Sequence, residues 1–383
     1  MPVAVPIVIM RGGTSKALFV RALDLPSDPA WRDRLLLRIF GSPDPRQIDG
    51  LGGADPLTSK LAIISPAPSG RSDADITYTF GQVGIADAAI DYHSLCGNIS
   101  SAVGAYAISA GLVAPTTPVT RVRVYNTNLE RLLAIEVPVA DGQPVEKGDY
   151  AVPGVPGTGA RIDVDFADTA GAATGALLPT GAARDELVLP GGDRILVSLV
   201  DIGNAHVFVR AADVGLAGTE SASQIDANTA LRTRLEIIRS WAAVRMGMAK
   251  SADTATATTP ATPILSIVSP PEDYVAALDG RSVSAADVDL LARAMFVQQA
   301  HKTYPGTSTV CTGVAAQLEG TLVHEVARRG NGPIVRIGHP AGVVETQSIV
   351  ETAGNGFAVR RATLGRTARR LLDGSAFVPD DLI

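Results

Sequence analysis

The segment from Cys96 to Leu112, CGNISSAVGAYAISAGL, constrains this chain more than any other. It has no charged residue over about four helical turns and is built almost wholly of small or apolar residues. A helix that is apolar all round is buried all round, so it needs a container, and its Gly, Ala and Ser positions let that container close in tightly. The flanking sequence supplies strands at Pro2–Met10, Ala17–Arg21, Lys60–Ser65, Asp75–Phe80, Val119–Tyr125, Leu132–Val139 and Arg161–Phe166. Alternation is clearest in VTRVRVYNTN, where Val122 and Val124 face one way and Arg121 and Arg123 the other. Gly, Pro, Asp and Asn clusters punctuate the strands as hairpin loops require. The expected container is therefore a sheet curled around the helix. One amphipathic helix, Trp31–Phe40, puts Leu35, Leu36 and Ile39 on a single face and turns Arg32 and Arg34 to water.

The second half repeats the plan. Strands are expected at Ile195–Ile202, Val207–Arg210, Ile264–Val268, Ile334–Ile337 and Val343–Val350, and TSTVCTGVAAQL, Thr307–Leu318, is a second charge-free helix. Two halves, each with one buried helix carrying a cysteine, suggest a duplication. Helical periodicity further predicts Gln224–Met248, and Ala285–Gln299 behind a capping-box-like Ser284…Asp287. The low-complexity SADTATATTPAT, Ser251–Thr262, reads as an exposed loop. Turn residues crowd Thr180–Asp193, which places a domain boundary there and gives domains 1–186 and 187–383. The expected class is α+β.

Composition removes several functions. Hydrophobic residues at 46% and charged residues at 19% exclude a disordered chain. A net charge of −6, with no Lys/Arg-rich run, argues against nucleic-acid or anionic-membrane partners. The start, MPVAVPIVIMRGG, lacks the basic n-region and long apolar core of a signal peptide. No apolar run approaches the ~18 residues of a membrane span. Two cysteines make no disulfide framework, so a reducing, cytoplasmic setting is expected.

Four local constellations could carry chemistry. Arg11-Gly12-Gly13-Thr14-Ser15-Lys16 offers backbone N–H groups, hydroxyls and cations to an anion, or is simply a tight hairpin. In Asp49-Gly50-Leu51-Gly52-Gly53 through Thr58-Ser59-Lys60, the lysine opens the apolar strand LAIIS. Such a lysine either snorkels to the rim or sits in a cleft with a depressed pKa, where it is a competent general base. At Leu95-Cys96-Gly97-Asn98 a thiol stands at a helix start, where the macrodipole favours the thiolate and free N–H groups suit a carboxylate; the alternative is an inert buried cysteine. Finally, Gly338-His339-Pro340-Ala341-Gly342 is a turn suited to a second carboxylate, whereas Cys311 reads as core. The five histidines lack HExxH spacing and no CxxC exists, so metal is not expected. No GxGxxG precedes a helix and no GxSxG elbow occurs, so neither a nucleotide cofactor nor a serine hydrolase is supported.

RGGTSKA, SPDPRQIDGLGGADPLTSK, FGQV, CGNISSAVGAYAISAGL, RMGM, SIVSPP and GHPAG occur in this order from end to end. As an ordered set they resemble the 2-methylaconitate cis–trans isomerase family, which includes methylitaconate, aconitate and 4-oxalomesaconate isomerases. The resemblance implies the diaminopimelate-epimerase-like fold: two similar domains, each a β-barrel-like sheet around a central helix, with the active site in the cleft between them. It implies isomerisation of an unsaturated di- or tricarboxylate without metal or cofactor, and a small polycarboxylate as the partner, and it leaves room for a homo-oligomer. By the same resemblance Lys60 matches the catalytic lysine and Cys96 the active-site cysteine, while Ser15, Gly97 and Asn98 match substrate-contacting positions. Arg11, Thr14, Ser59, His339 and Gly342 join them as candidate substrate-binding residues from the constellations above. Two alternatives stand beside this reading: a racemase or epimerase using Cys96 and Cys311 as two bases, and a carboxylate-binding protein without turnover.

Overall fold

Both charge-free segments are helices, and each is enclosed by strands of its own unit. The computed structural model describes residues 3–328, 330, 332–353 and 356–379. Its chain divides into two compact units, Met1–Val164 with Arg366–Ile383, and Asp165–Gly365. The division thus falls at Val164/Asp165, not at 186/187, and the first unit takes back the end of the chain. The turn-rich Thr180–Asp193 stretch lies inside the second unit, because its turns lead into strand Arg194–Ile202 of that unit's sheet.

In the first unit, β1 (Val3–Gly12) and β2 (Ser15–Arg21) form a hairpin closed by Gly12 opposite Ser15. Helix α1 (Pro29–Phe40) begins at Asp28, whose carboxylate accepts from the Trp31 amide at 2.8 Å, and stops at left-handed Gly41. Its Leu35, Leu36 and Ile39 pack on Val5, Ile7, Leu18, Val20, Leu61 and Ile63 of the sheet. β3 (Lys60–Pro66) runs parallel to β2, and β4 (Ile76–Val83) antiparallel to β3. After α2 (Gly97–Ser109), β5 (Val119–Asn126) pairs parallel with β4 and antiparallel with β6 (Arg131–Ala140). The C-terminal strand Ala368–Val378 lies antiparallel to β1 along its length. Pro2, which the sequence assigns to the first strand, lies outside the described residues.

Helix α2 is buried from Gly97 through Ile108. A Cβ on Gly104 would come within 2.8 Å of Val137 and 2.9 Å of Ile135, both on β6. Close approach of strand to helix is thus the reason for the small residues.

The second unit repeats this connectivity. β7 (Arg194–Ile202) and β8 (Asn204–Arg210) form the hairpin. Helices α3 (Ala222–Ala227), α4 (Thr229–Arg245) and α5 (Ala252–Thr258) follow, then β9 (Ile264–Ser269), parallel to β8. β10 (Leu290–Phe296) is antiparallel to β9, and after α6 (Gly306–Gln317), β11 (Ile334–His339) is parallel to β10. β12 (Gly342–Ala353) and β13 (Gly356–Arg366) complete the meander. Hairpin, parallel crossover, antiparallel pair, buried helix and parallel crossover recur in the same order, so the duplication is a property of topology.

Three sequence expectations are corrected. Ala285–Gln299 is not a helix: a 3-10 turn at Ala285–Asp287 leads into β10, which is buried on both faces and so lacks the alternation that marks a strand. It ends in a tight turn with Val297 and Gln298 at φ of 48° and 58°. Gln224–Met248 is two helices broken at Asn228, which caps the second by accepting from the Leu231 amide. The Ser251–Thr262 stretch carries α5, with Ala255 fully buried.

Candidate active site

Register fixes where Lys60 points. In the parallel pair it lies opposite Ala17, and in the antiparallel pair opposite Gln82, so Ser15, Ala17, Phe19, Lys60, Ala62, Phe80 and Gln82 share one sheet face. That face meets α2, as the Phe19 and Tyr106 rings 5.2 Å apart confirm. The opposite face, with Leu18, Val20, Leu61 and Ile63, meets α1. Lys60 therefore does not snorkel; it is 3% exposed. Its Nζ donates to Gln82 Oε1 at 2.6 Å and sits 5.3 Å from the centre of the Phe80 ring. Burial pulls its pKa below the usual lysine value, with Cys96 and Asp55 opposing.

Cys96 is the N-cap of α2, half-buried, and its thiol makes no capping hydrogen bond. It lies within electrostatic reach of the Lys60 amine. The β1–β2 turn abuts this helix start. A Cβ on Gly12 would strike the Asn98 carbonyl, and one on Gly13 the Asn98 side chain; Gly13 is also left-handed at φ 49°. The glycines thus serve close packing. The Gly13 amide donates to Thr367 O and the Lys16 amide to Leu57 O, both at 2.9 Å, so these groups are committed to the fold. Arg11 is committed likewise, donating to the carbonyls of Gly13 at 3.0 Å and Thr367 at 2.8 Å.

Asn98 links the helix start to its surroundings: its Nδ2 donates to Thr14 Oγ1 at 3.1 Å, and its Oδ1 accepts from Arg366 Nε at 2.9 Å. Arg366 is 3% exposed, and burial lowers its pKa to about 10. Sequence reasoning missed it, because a lone Arg in LGRTARR carries no motif; its signal is that it follows a run of buried residues in β13. The Ser15 hydroxyl is buried with no hydrogen-bond partner among the described residues, as is that of Ser94, two residues before Cys96. Ser59 differs: its hydroxyl donates to Gln47 Oε1 at 2.7 Å, and Gln47 also takes the Ala54 amide and donates to Ser42, so Ser59 anchors the loop that delivers Lys60. A cavity of about 220 Å³ opens by Tyr106, Ser109, Arg21 and Arg370 at the other end of α2, and no predicted site residue lines it.

The first unit thus gathers Arg11, Thr14, Ser15, Ser59, Lys60, Cys96, Gly97 and Asn98. His339 and Gly342 belong to the second unit, where they close the β11–β12 hairpin. His339 Nδ1 accepts from the Ala341 amide at 3.2 Å, and Tyr274 donates its hydroxyl to the carbonyls of both His339 and Gly342. Cys311 lies inside α6, fully buried, with its Sγ 3.7 Å from Val200 O and its thiol pKa pushed up by burial. The residue at the start of α6 that corresponds to Cys96 is Pro305. The residue opposite β8 that corresponds to Lys60 is Ile264, next to His206. Among the described residues no group of three His, Cys, Asp or Glu is placed to hold a metal.

Comparison with known proteins matches the chain along its whole length. The chain is 51% identical over 375 residues to the 3-methylitaconate isomerase of Eubacterium barkeri, covering 98% of this chain and 97% of that one. It is 39% identical over 384 residues to the 2-methyl-aconitate isomerase of Shewanella oneidensis, covering 97% and 96%. A crystal structure of methylitaconate-delta-isomerase superposes with a TM-score of 0.84 at 49% identity over 100% of this chain and 97% of that one. A hydroxyproline epimerase from Agrobacterium vitis shares the fold alone, at a TM-score of 0.58 and 12% identity over 99% and 94%. Fold and relatives define an isomerase on the diaminopimelate-epimerase-like scaffold. The family model of the PrpF protein matches residues 2–379, and the chain belongs to that family.

Proposed function

We propose that this chain isomerises an unsaturated di- or tricarboxylate of the methylitaconate and methylaconitate class by moving one allylic proton, with Lys60 as the base. The observation that carries the reading is Lys60 itself, buried, biased toward the neutral amine and facing the start of α2 within reach of Cys96. A C–H bond allylic to a carboxylated double bond is acidified because its electrons delocalise as a dienolate. Neutral Lys60 takes that proton, the C–H pair becomes the new double bond, and the old double bond becomes the enolate. The Lys60 ammonium then returns the proton to the far carbon. Protons and electrons balance, and every step uses groups of this chain.

Recognition of the acid is assigned to the start of α2 and its neighbours. Helix N–H groups at Gly97 and Asn98 favour an anion. The Ser15 hydroxyl supplies a donor with no partner among the described residues, and the Arg366 guanidinium a buried positive charge on Asn98. Thr14 sits beside them on Asn98 Nδ2. We assign Cys96 to the reacting end as a second proton-transfer or polar group. The buried, raised Cys311 thiol disfavours a racemase that would need it as a second base. No helix among the described residues is long and apolar enough to cross a membrane. We assign the enzyme to the cytoplasm, which suits its two unpaired thiols.

Proton NMR in D₂O with 3-methylitaconate, 2-methylaconitate, aconitate and 4-oxalomesaconate tests the proposal. Deuterium entry with a shifted double bond is expected for at least one of them, and Lys60→Ala should reduce it by at least about 100-fold. Exchange that persists in Lys60→Ala overturns the assignment of the base.

A further inference from the structure

FGQV sits among the ordered motifs without a role of its own, yet its glutamine touches the nitrogen on which the chemistry depends. Gln82 lies directly opposite Lys60 in the β3–β4 pair, 9% exposed, with Oε1 2.6 Å from Nζ. Its own amide is pinned: Nε2 donates to Pro56 O at 3.2 Å and to Ser59 O at 3.1 Å. A flipped amide would aim its NH₂ at the lysine and its oxygen at two carbonyl oxygens, so these two acceptors fix which end faces Nζ. Pro56 and Ser59 belong to the loop that Gln47 ties down through Ser59 and the Ala54 amide, so the orientation is set by a chain of buried and half-buried contacts.

We infer that Gln82 is a positioning residue for the base, acting through Lys60: its carbonyl oxygen takes one N–H of the amine and so narrows where the lone pair can point. The inference rests on the proposal that Lys60 is the base. A neutral lysine amine has two N–H bonds and one lone pair. Anchoring one N–H on Oε1 limits rotation about Cε–Nζ and confines the lone pair to the two remaining positions about the nitrogen, one of them toward the reacting carbon. When the amine has taken the proton, the same oxygen accepts from the ammonium, and the bond becomes charge-assisted. An amide suits both states. A carboxylate there would hold the ammonium too firmly, and an apolar side chain would hold neither. In the second unit the place of Lys60 is taken by Ile264, so that strand start carries no amine to orient.

The test uses the full chain and two variants. Gln82→Glu is nearly isosteric and places a charge at Nζ. The acid limb of its kcat/KM profile for 3-methylitaconate should move up by at least about one pH unit. Gln82→Leu should lower kcat at least about tenfold with KM within about threefold. A substrate-free readout runs alongside. The chain has five lysines, so the ¹³Cε resonance of Lys60 can be assigned by its loss in Lys60→Arg and titrated directly. Its midpoint should rise in Gln82→Glu. An unmoved Lys60 titration in Gln82→Glu, or an unchanged kcat in a folded Gln82→Leu, overturns the role of Gln82. If Lys60→Ala is inactive while both Gln82 variants behave as the parent, only the role of Gln82 fails. If Lys60→Ala keeps its activity, the base itself fails.

Discussion

At the scale of single residues, the two units differ where chemistry would be carried. Lys60 and Ile264 occupy equivalent strand positions, as do Cys96 and Pro305 at the helix starts. One unit keeps a buried amine and a thiol; the other fills the same places with groups that have no proton to exchange. Cys311 is a packing residue on this account, so Cys311→Ser should leave kcat within about threefold while lowering stability modestly. Activity lost in a folded Cys311→Ser would instead revive the two-base reading. Lys60 and Cys96 stand out in the sequence as candidates because each opens an element, a buried strand or an apolar helix. Arg366 and Gln82 were not given roles, because each matters through a partner distant in sequence. Arg366 reaches Asn98, and Gln82 reaches Lys60 across a register that only pairing reveals.

At the scale of elements, α2 was readable from absence of charge alone, and the structure explains why no charge is tolerated. Strands approach it so closely that Gly104 cannot carry a side chain without meeting β6. Gly104→Val should therefore destabilise by about 2 kcal/mol through overpacking, read as a lowered midpoint in urea, with secondary structure retained. An unchanged midpoint would mean that β6 can move outward freely. The opposite lesson comes from β10. Its LLARAMF segment carries a charge that invites a polar helical face, but Arg293 is 1% exposed, with Nε donating to Glu220 O at 2.6 Å and Nη1 to Ala292 O at 2.9 Å. A charged residue held through Nε and Nη1 by main-chain carbonyls is invisible to a pattern that sorts residues by polarity. The turn after it, through left-handed Val297 and Gln298, is equally hidden, since neither residue type signals it.

At the scale of the whole molecule, duplication was suggested by two short helices and is carried by the order and sense of the strands. The division between units was missed because the chain crosses and returns, and a returning strand leaves no local mark. Acid stability is expected to follow the second unit. His206 is fully buried there, between Asn204 O at 2.7 Å and Ser308 Oγ at 2.8 Å, and burial lowers its pKa from 6.5 to about 4. The unfolded chain therefore binds this proton first, and folding stability falls as pH drops from 6.5 toward 4, by about 3 kcal/mol in all. Urea unfolding across that range should show the slope, and His206→Gln should flatten it; an equal slope in both would assign the acid sensitivity elsewhere.

The strand Ala368–Val378 also has a consequence in time. On the ribosome, β1 emerges early, but its partner on that side is translated only after the entire second unit. The unit that holds Lys60 is thus begun first and closed last. Its nascent form must wait with one edge of β1 exposed, and chaperones acting at that stage would meet a chain whose second unit can already be folded.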